Sequence, residues 1–263
     1  MASMGVTAAV TEEQVAFYRE NGFVQVDDVI SPATVAALRQ ALDATYRDDA
    51  GGIHTSARDS AYAKVLDQRV NVWRDHPVVR EHVFDRRLAE MARRLAGVRA
   101  VRLWHDQALY KQPGDSKPTP WHQDLPYWPM AEPGALSLWL ALDDVDEHNG
   151  AMSFVPGSRR VGSLPGINLV HPEDIFAMVP GGALAGVKPV LCRLRAGSCT
   201  FHDGRTFHAA GANHTAAPRR AMVTIYMPEG TTFNDKGHIV TDPLGLRPGQ
   251  ALAGEAFPIL AEA

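Results

Sequence analysis

The chain has 263 residues, of which 45% are hydrophobic, and it carries a net charge of −4 at pH 7. This length and composition suit one large domain with an ample core. The chain has no basic cluster and no basic-aromatic interleaving, which argues against a nucleic-acid binder, and no apolar run is long enough to cross a bilayer. The first ten residues lack the charged and apolar regions of a secretory signal, so we expect a cytoplasmic protein whose partner is a small molecule.

The first hundred residues predict mainly helices. A capping box at Thr11 to Gln14 begins the first helix, and Asn21-Gly22 ends it. The other predicted elements are a strand at 23–26, a second helix from Ser31-Pro32, with Val35, Leu38 and Leu42 on one face, and a third helix from Pro77 to about Leu95, with Gly97 at its end. We expect these helices, at about residues 11–97, to buttress a β-sheet.

From residue 100 onward, short β-like runs alternate with Pro, Gly and Asn. The runs are 101–111, 137–142, 151–155, 189–194, 198–201 and 219–227. Their number and spacing predict a mainly β fold with flanking helices and a double-stranded β-helix core, or jelly roll, at about 100–228. Residues 158–188 are rich in Gly and Pro, and we interpret them as an insertion or lid over a site, although a plain surface loop fits as well. The whole chain, 1–263, is expected to form one domain.

His122-Gln123-Asp124 places an imidazole and a carboxylate two residues apart. On an extended strand both side chains would point to one face. With His208, which lies 86 residues later, they would form a 2-His-1-carboxylate site for Fe(II) that leaves coordination positions free for a co-substrate and oxygen. Because the interval is long, this geometry requires a sheet rolled back on itself.

Three alternatives weaken the motif when it is taken alone. His122 and Asp124 also fit a surface ion pair. A second His-x-Glu stands at His171-Pro172-Glu173, but its proline and the glycines that follow indicate a solvated loop. His202 is a rival for the distal ligand, since it lies six residues before His208.

The segment from Gly197 to Met227 decides among these alternatives. With it, the chain resembles the phytanoyl-CoA dioxygenase family of Fe(II)/2-oxoglutarate oxygenases, which share His-x-Asp, a distal His in a His-x-x-Gly-x-Asn context, and an Arg eleven residues after that His. The matching positions here are His122, Asp124, His208, Gly211, Asn213 and Arg219. The resemblance covers about residues 12–230.

The resemblance implies Fe(II), 2-oxoglutarate and O2 as cofactors and co-substrates. Arg219 would pair with the distal carboxylate of 2-oxoglutarate, a contact that a guanidinium makes in bidentate fashion. Lys64 and Trp139 match residues that contact the co-substrate in the family's founding enzyme. That enzyme has a serine where this chain has Ala210, so Thr200 or another strand residue would have to replace its hydroxyl.

The implied reaction is the oxidation of a C–H bond in a small organic molecule of secondary metabolism, with release of succinate and CO2. Hydroxylation, desaturation or cyclisation is favoured over halogenation, because Asp124 occupies the position that a halide would need. Gln107, Tyr127 and Trp128 are candidate substrate contacts, although the glutamine would also suit a solvent-facing strand position and the aromatic residues would suit a core. His105 is interpreted as a structural histidine of the sheet. The alternative function is a metal-dependent, cupin-like isomerase or hydrolase that does not use 2-oxoglutarate, in which Arg219 would have no role.

Overall fold

Two antiparallel β-sheets form the centre of the computed structural model, which describes residues 9–47, 51–55, 60–114 and 116–263. The strands are β1 (Phe23–Val26), β2 (Ile53–His54), β3 (Asp67–Val70), β4 (Ala100–Lys111), β5 (Thr119–His122), β6 (Leu136–Ala141), β7 (Met152–Phe154), β8 (Val190–Cys192), β9 (Cys199–Asp203), β10 (His208–Ala210), β11 (Arg219–Pro228) and β12 (Ile259–Glu262). The larger sheet has the order β1-β9-β6-β11-β4-β3-β2, and β12 also pairs with β4; the smaller sheet has the order β5-β10-β7-β8. The mainly β fold with a rolled sheet is therefore as predicted.

Five helices flank the larger sheet: α1 (Glu12–Asn21), α2 (Pro32–Arg47), α3 (Ala61–Val65), α4 (Pro77–Val83) and α5 (Arg86–Ala96). The prediction of one helix from Pro77 to Leu95 is wrong. The Asp85 side chain accepts a hydrogen bond from the backbone N–H of Arg87 at 2.9 Å and starts a new helix there. A good N-cap residue thus interrupts a stretch whose apolar spacing alone would have continued. Every helix among the described residues is too short or too polar to span a bilayer.

Strand β6 shows how the two layers meet. All six of its residues are buried, and they alternate between two environments. Leu136, Leu138 and Leu140 pack with the helices, whereas Ser137 and Trp139 line a cavity between the sheets. On the inner side, the rings of Phe23 on β1 and Phe154 on β7 stack at 4.8 Å and tie the larger sheet to the smaller one.

Strands β4 and β11 form the longest pairing, and a β-bulge interrupts it. Ile225 pairs with His105 and Tyr226 pairs with Leu103, so Trp104 has no opposite residue. A bulge of this kind re-aims side chains at the end of a sheet. The freed Trp104 ring stacks on Phe257, near the C-terminal end of the chain, at 5.2 Å.

Candidate metal centre

The pairing of strand β10 with strand β5 brings the two predicted histidine ligands together. His208 on β10 is the direct cross-strand partner of His122 on β5, and their ring centroids lie 4.2 Å apart. Both side chains are buried. The smaller sheet therefore brings together two residues that lie 86 positions apart in the sequence, as the predicted site required.

Asp124 reaches the same point by a different route from the one predicted. Strand β5 ends at His122, and Asp124 has helical backbone angles (φ −79°, ψ −42°) at the start of a short 3₁₀ turn. The expectation that both side chains project from one extended strand is thus wrong. Even so, Oδ1 of Asp124 lies 3.6 Å from Nε2 of His122 and 3.5 Å from Nε2 of His208. Candidate ligand atoms of the three residues all lie within 4.8 Å of one another, which suits a metal ion.

Backbone carbonyl groups fix which imidazole nitrogen is available to a metal. Nδ1 of His122 lies 2.7 Å from the carbonyl oxygen of Pro120, and Nδ1 of His208 lies 2.9 Å from that of Thr206. A carbonyl oxygen only accepts, so Nδ1 carries the proton in each ring and Nε2 presents its lone pair. Burial lowers the pKa of His122, and the neighbouring His208 lowers it further by a smaller amount. Both effects favour the neutral form of the ring, which is the form that binds metals.

The carboxylate of Asp124 is held at both oxygens. Oδ2 lies 3.2 Å from the hydroxyl of Ser137 and 3.3 Å from Nε2 of His202, while Oδ1 faces His122 and His208. Burial alone would raise the pKa of Asp124, but the proximity of His208, and then of His122 and His202, holds that pKa well below its usual range. His202 therefore contacts the carboxylate oxygen that faces away from the other two histidines. It is not part of the group of candidate ligands.

The rival motif does not form a site. His171 and Glu173 are both exposed. The residue between His122 and Asp124 instead has a structural role: the buried Gln123 donates to the carbonyl oxygens of Gly162 and Arg205, both at 2.7 Å, and accepts from the N–H of Leu164 at 2.8 Å. The turn that carries the candidate ligands thereby holds the start of segment 158–188.

Next to the three candidate ligands lies a cavity of about 500 Å³, here called the inner cavity, which Trp139 and Arg219 also line. The Arg219 side chain is buried, and its Nε and Nη1 have no hydrogen-bond partner among the described residues. Burial lowers the pKa of Arg219 to about 10, so the guanidinium is still charged at neutral pH. A buried cation with unpaired donors is costly unless an anion joins it. The inner cavity therefore fits a carboxylate ligand that also reaches the metal.

The loop between β10 and β11 places Arg219 at that position. Asn213 donates to the carbonyl oxygen of Lys111 at 3.1 Å and accepts from the N–H of Thr215 at 3.0 Å, which fixes the turn before β11. Gly150 approaches the same loop so closely that an added Cβ would lie 2.7 Å from the carbonyl oxygen of Gly211. The side chain of Asn213 thus fixes the turn that separates His208 from Arg219.

The other predicted co-substrate residues lie in different surroundings. Trp139 lies beneath Arg219, whose Cζ is 5.3 Å from the indole ring. Thr200 is the cross-strand partner of Trp139; its hydroxyl is buried and has no hydrogen-bond partner among the described residues. Lys64 is exposed on α3, and neither Lys64 nor Thr200 lines the inner cavity.

Sequence reasoning missed a buried lysine beside Arg219, Lys111. It is the cross-strand partner of Arg219, and its Nζ donates to the carbonyl oxygens of Val65 at 3.2 Å and Lys117 at 2.7 Å. Burial, with a smaller effect from Arg219, lowers its pKa to about 6. The signal that would have revealed it is the pairing of β4 with β11, which no local motif encodes.

A larger cavity of about 1110 Å³, here called the outer cavity, meets the inner one at Gln107 and the candidate ligands His122 and Asp124. The three predicted substrate contacts, Gln107, Tyr127 and Trp128, all line it. The Tyr127 hydroxyl donates to the carbonyl oxygen of Ile167 at 2.7 Å, which joins segment 158–188 to the wall. His105 and His238 also line the outer cavity; the first was interpreted as purely structural, and nothing in the sequence pointed to the second.

Comparisons with known proteins agree with this geometry. Residues 18–221 match the family model of phytanoyl-CoA dioxygenase (PhyH). A probable alpha-ketoglutarate-dependent hypophosphite dioxygenase from Stutzerimonas stutzeri is 25% identical over 226 residues, which are 81% of this chain and 77% of that protein. The solved structure of SnoK, a non-heme alpha ketoglutarate dependent carbocyclase from nogalamycin biosynthesis, is 30% identical with a TM-score of 0.82, covering 96% of this chain and 97% of its own. The epimerase SnoN, solved with Fe3+, alpha ketoglutarate and nogalamycin RO, is 31% identical with a TM-score of 0.77, covering 95% and 98%. The chain belongs to the phytanoyl-CoA dioxygenase family of Fe(II)- and 2-oxoglutarate-dependent oxygenases.

Proposed function

We propose that this enzyme hydroxylates a C–H bond of a small organic molecule in secondary metabolism. The observation that carries the proposal is the meeting of two features in one cavity: a His-Asp-His group with its Nε2 atoms free, and a buried, unpaired guanidinium. The first suits Fe(II), which accepts imidazole and carboxylate ligands, and the second suits the distal carboxylate of 2-oxoglutarate.

Each residue then has a definite role. His122, Asp124 and His208 would hold Fe(II), and Arg219 would bind the co-substrate above the Trp139 ring. When bound, the iron with 2-oxoglutarate and O2 supplies the oxidant that takes hydrogen from the substrate, leaving succinate and CO2.

Two further co-substrate assignments have unequal support. The unpaired Thr200 hydroxyl beside Trp139 supports its assignment as the replacement for the family serine. Lys64 has weaker support, because its exposed position leaves Lys111 as the lysine beside Arg219.

The surrounding protein places the substrate and limits access of water. Gln107 stands where the inner and outer cavities meet, so its amide is positioned to contact a molecule that reaches the metal from outside. Tyr127 and Trp128 form the adjoining wall, and Tyr127 holds segment 158–188 against it. This contact supports the interpretation of 158–188 as a cover over the site, because enclosed sites protect reactive oxidants from solvent.

An anaerobic absorption titration tests the proposal. We expect Fe(II) followed by 2-oxoglutarate to give the visible iron-to-oxoacid charge-transfer band. The band should be lost in Asp124→Ala and His208→Ala, and should require much more 2-oxoglutarate in Arg219→Ala. His171→Ala, which removes the exposed histidine of the rival motif, is the matched control and should behave as wild type. Iron binding without a band would refute the proposal and favour the isomerase or hydrolase.

A further inference from the structure

The outer cavity contains a pair of histidines that the metal chemistry does not use. The rings of His105 on β4 and His238 in the C-terminal segment are nearly parallel, with centroids 5.6 Å apart and an angle of 16° between their planes. Both lie against the indole of Trp104, the residue freed by the β-bulge. The bulge and the C-terminal segment together build this pair into the cavity wall.

Hydrogen bonds assign opposite tautomers to the two rings. Nδ1 of His105 lies 3.2 Å from the carbonyl oxygen of Asp106, which only accepts, so Nδ1 carries the proton and Nε2 is an acceptor. Nδ1 of His238 accepts the backbone N–H of Val240 at 3.2 Å, so in the neutral ring the proton is on Nε2, which is a donor. Neither Nε2 has a hydrogen-bond partner among the described residues. The pair therefore offers one acceptor and one donor.

Both rings are neutral at physiological pH. Burial, and to a lesser degree His238, lowers the pKa of His105 to about 3. Burial also lowers the pKa of His238 to about 4, with opposing smaller effects from Asp242 and Lys236. Neutral rings keep the tautomers that their backbone contacts select.

Apart from Asp124, the rest of the wall is uncharged and partly aromatic. Tyr62, Tyr127 and Trp128 contribute aromatic surface, and the buried Oε1 of Gln68 has no hydrogen-bond partner among the described residues. Among those residues, the lining contains no lysine or arginine, and its one carboxylate belongs to the ligand Asp124. A charged substrate would lose its hydration here without gaining a counter-ion.

We propose that the outer cavity binds an uncharged ring compound bearing a hydroxyl group, which donates to Nε2 of His105 and accepts from Nε2–H of His238. A hydroxyl is the simplest group that donates and accepts at one atom, and it satisfies both rings. A carboxylate would meet the lone pair of His105, and an ammonium group would meet the N–H of His238. The proposal rests on the proposed oxygenase function and names the substrate class of the same site.

The test is a binding measurement with three probes of similar shape: 2-naphthol, 2-methoxynaphthalene and 2-naphthoate. Each is titrated calorimetrically at pH 7 under argon into protein loaded with Fe(II) and 2-oxoglutarate. We expect 2-naphthol to bind at least about fivefold more tightly than either other probe, because each of these loses a hydrogen bond to the pair. His105→Phe should reduce the preference for 2-naphthol over the methyl ether to less than about twofold, whereas His238→Phe should weaken the binding of both of these probes and leave that preference.

Two further variants keep the result interpretable. His238→Gln retains an N–H donor and should restore part of the affinity for both probes that His238→Phe loses, which guards against misfolding of the phenylalanine variant. His148→Phe removes an exposed histidine and should bind all three probes as wild type does. Equal or tighter binding of 2-naphthoate, an unchanged preference for 2-naphthol over the methyl ether in His105→Phe, or no binding of 2-naphthol at millimolar concentration would overturn the proposal.

The charge-transfer band, recorded on the same samples, separates this proposal from the oxygenase function. If wild-type protein shows no band, the proposed oxygenase function fails. The probe titrations, repeated without metal, still decide whether the histidine pair selects a neutral hydroxyl compound.

Discussion

Replacing Arg219 with methionine should have opposite effects on stability and on co-substrate binding. In the ligand-free protein, Nε and Nη1 of Arg219 are buried and have no hydrogen-bond partner among the described residues, and each such donor costs about 1–3 kcal/mol. The cation–π contact with the Trp139 ring stabilises Arg219 in the folded protein by about 0.5–2 kcal/mol. We therefore expect Arg219→Met, which is apolar and similar in length, to stabilise the ligand-free protein by about 1–4 kcal/mol, a rise in Tm of at least about 2 °C.

The same substitution should abolish the response to 2-oxoglutarate. Removing one partner of a buried, hydrogen-bonded charge pair costs about 2–5 kcal/mol of binding energy, which is roughly a 30- to 4,000-fold increase in Kd. Anaerobic calorimetric unfolding scans with Fe(II), with and without 2-oxoglutarate, measure both effects: the co-substrate should raise the Tm of wild type and leave that of the variant unchanged.

The neighbouring Arg220 provides the matched control. Its guanidinium pairs with Asp43 at 2.8 Å and with Asp143 at 3.1 Å, so Arg220→Met breaks existing ion pairs. We expect this variant to lower the Tm and to keep normal affinity for 2-oxoglutarate. If Arg219→Met lowered the Tm as Arg220→Met does, or still bound 2-oxoglutarate tightly, the idea of an unpaired cation awaiting a carboxylate would be refuted.

Three more predictions concern the surroundings of the site. His202→Phe should weaken Fe(II) binding about 10- to 100-fold in a chelator competition, because it removes a hydrogen bond that orients Asp124, whereas His202→Gln should restore part of it. Burial raises the pKa of the Asp106 carboxyl group to about 7 in the folded protein, above its value in the unfolded chain. The folded protein therefore holds this proton more tightly, and its free energy of unfolding falls by up to roughly 4 kcal/mol as the pH rises from about 4 to 7. Urea unfolding at pH 5 and 8 should show a smaller decrease for Asp106→Asn than for wild type. Gly197→Ala should destabilise more than Gly230→Ala in the same assay, because both have positive φ but only the first would place a Cβ 2.9 Å from a backbone oxygen.

The sequence carried most of the information about the ligands because that information is local. His208, Asn213 and Arg219 lie on the segment that runs from β10 to β11, and the side chain of Asn213 fixes its turn. Spacing along such a segment translates directly into spatial position.

Other features depend on competition between local signals. Asp124 leaves the strand because the residues after it form a 3₁₀ turn that begins with Leu125 and Pro126, which period-two reasoning did not weigh. Asp85 ends one helix and caps the next within a stretch whose apolar spacing is continuous. In both cases a local turn changed the backbone without changing the hydrophobic pattern.

Pairings between distant segments could not be predicted from the sequence. His238 lines the outer cavity. It belongs to the C-terminal segment, in which the later strand β12 pairs with β4. Its ring meets His105 only because the bulge at Trp104 alters the direction of side chains there. Neither histidine has a neighbouring motif, so only the three-dimensional arrangement shows that they form a pair.

The two cavities differ in charge, and this difference gives each one its own ligand. The inner cavity contains a permanent cation, Arg219, which lowers the cost of burying a carboxylate. The outer cavity presents neutral His105 and His238 and, among the described residues, no cation. A second molecule of 2-oxoglutarate would therefore bind poorly in the outer cavity, and a neutral ring compound would leave the donors of Arg219 unpaired in the inner one. With the ligands His122 and Asp124 where the two cavities meet, this separation of charge directs each molecule to its own side of the metal.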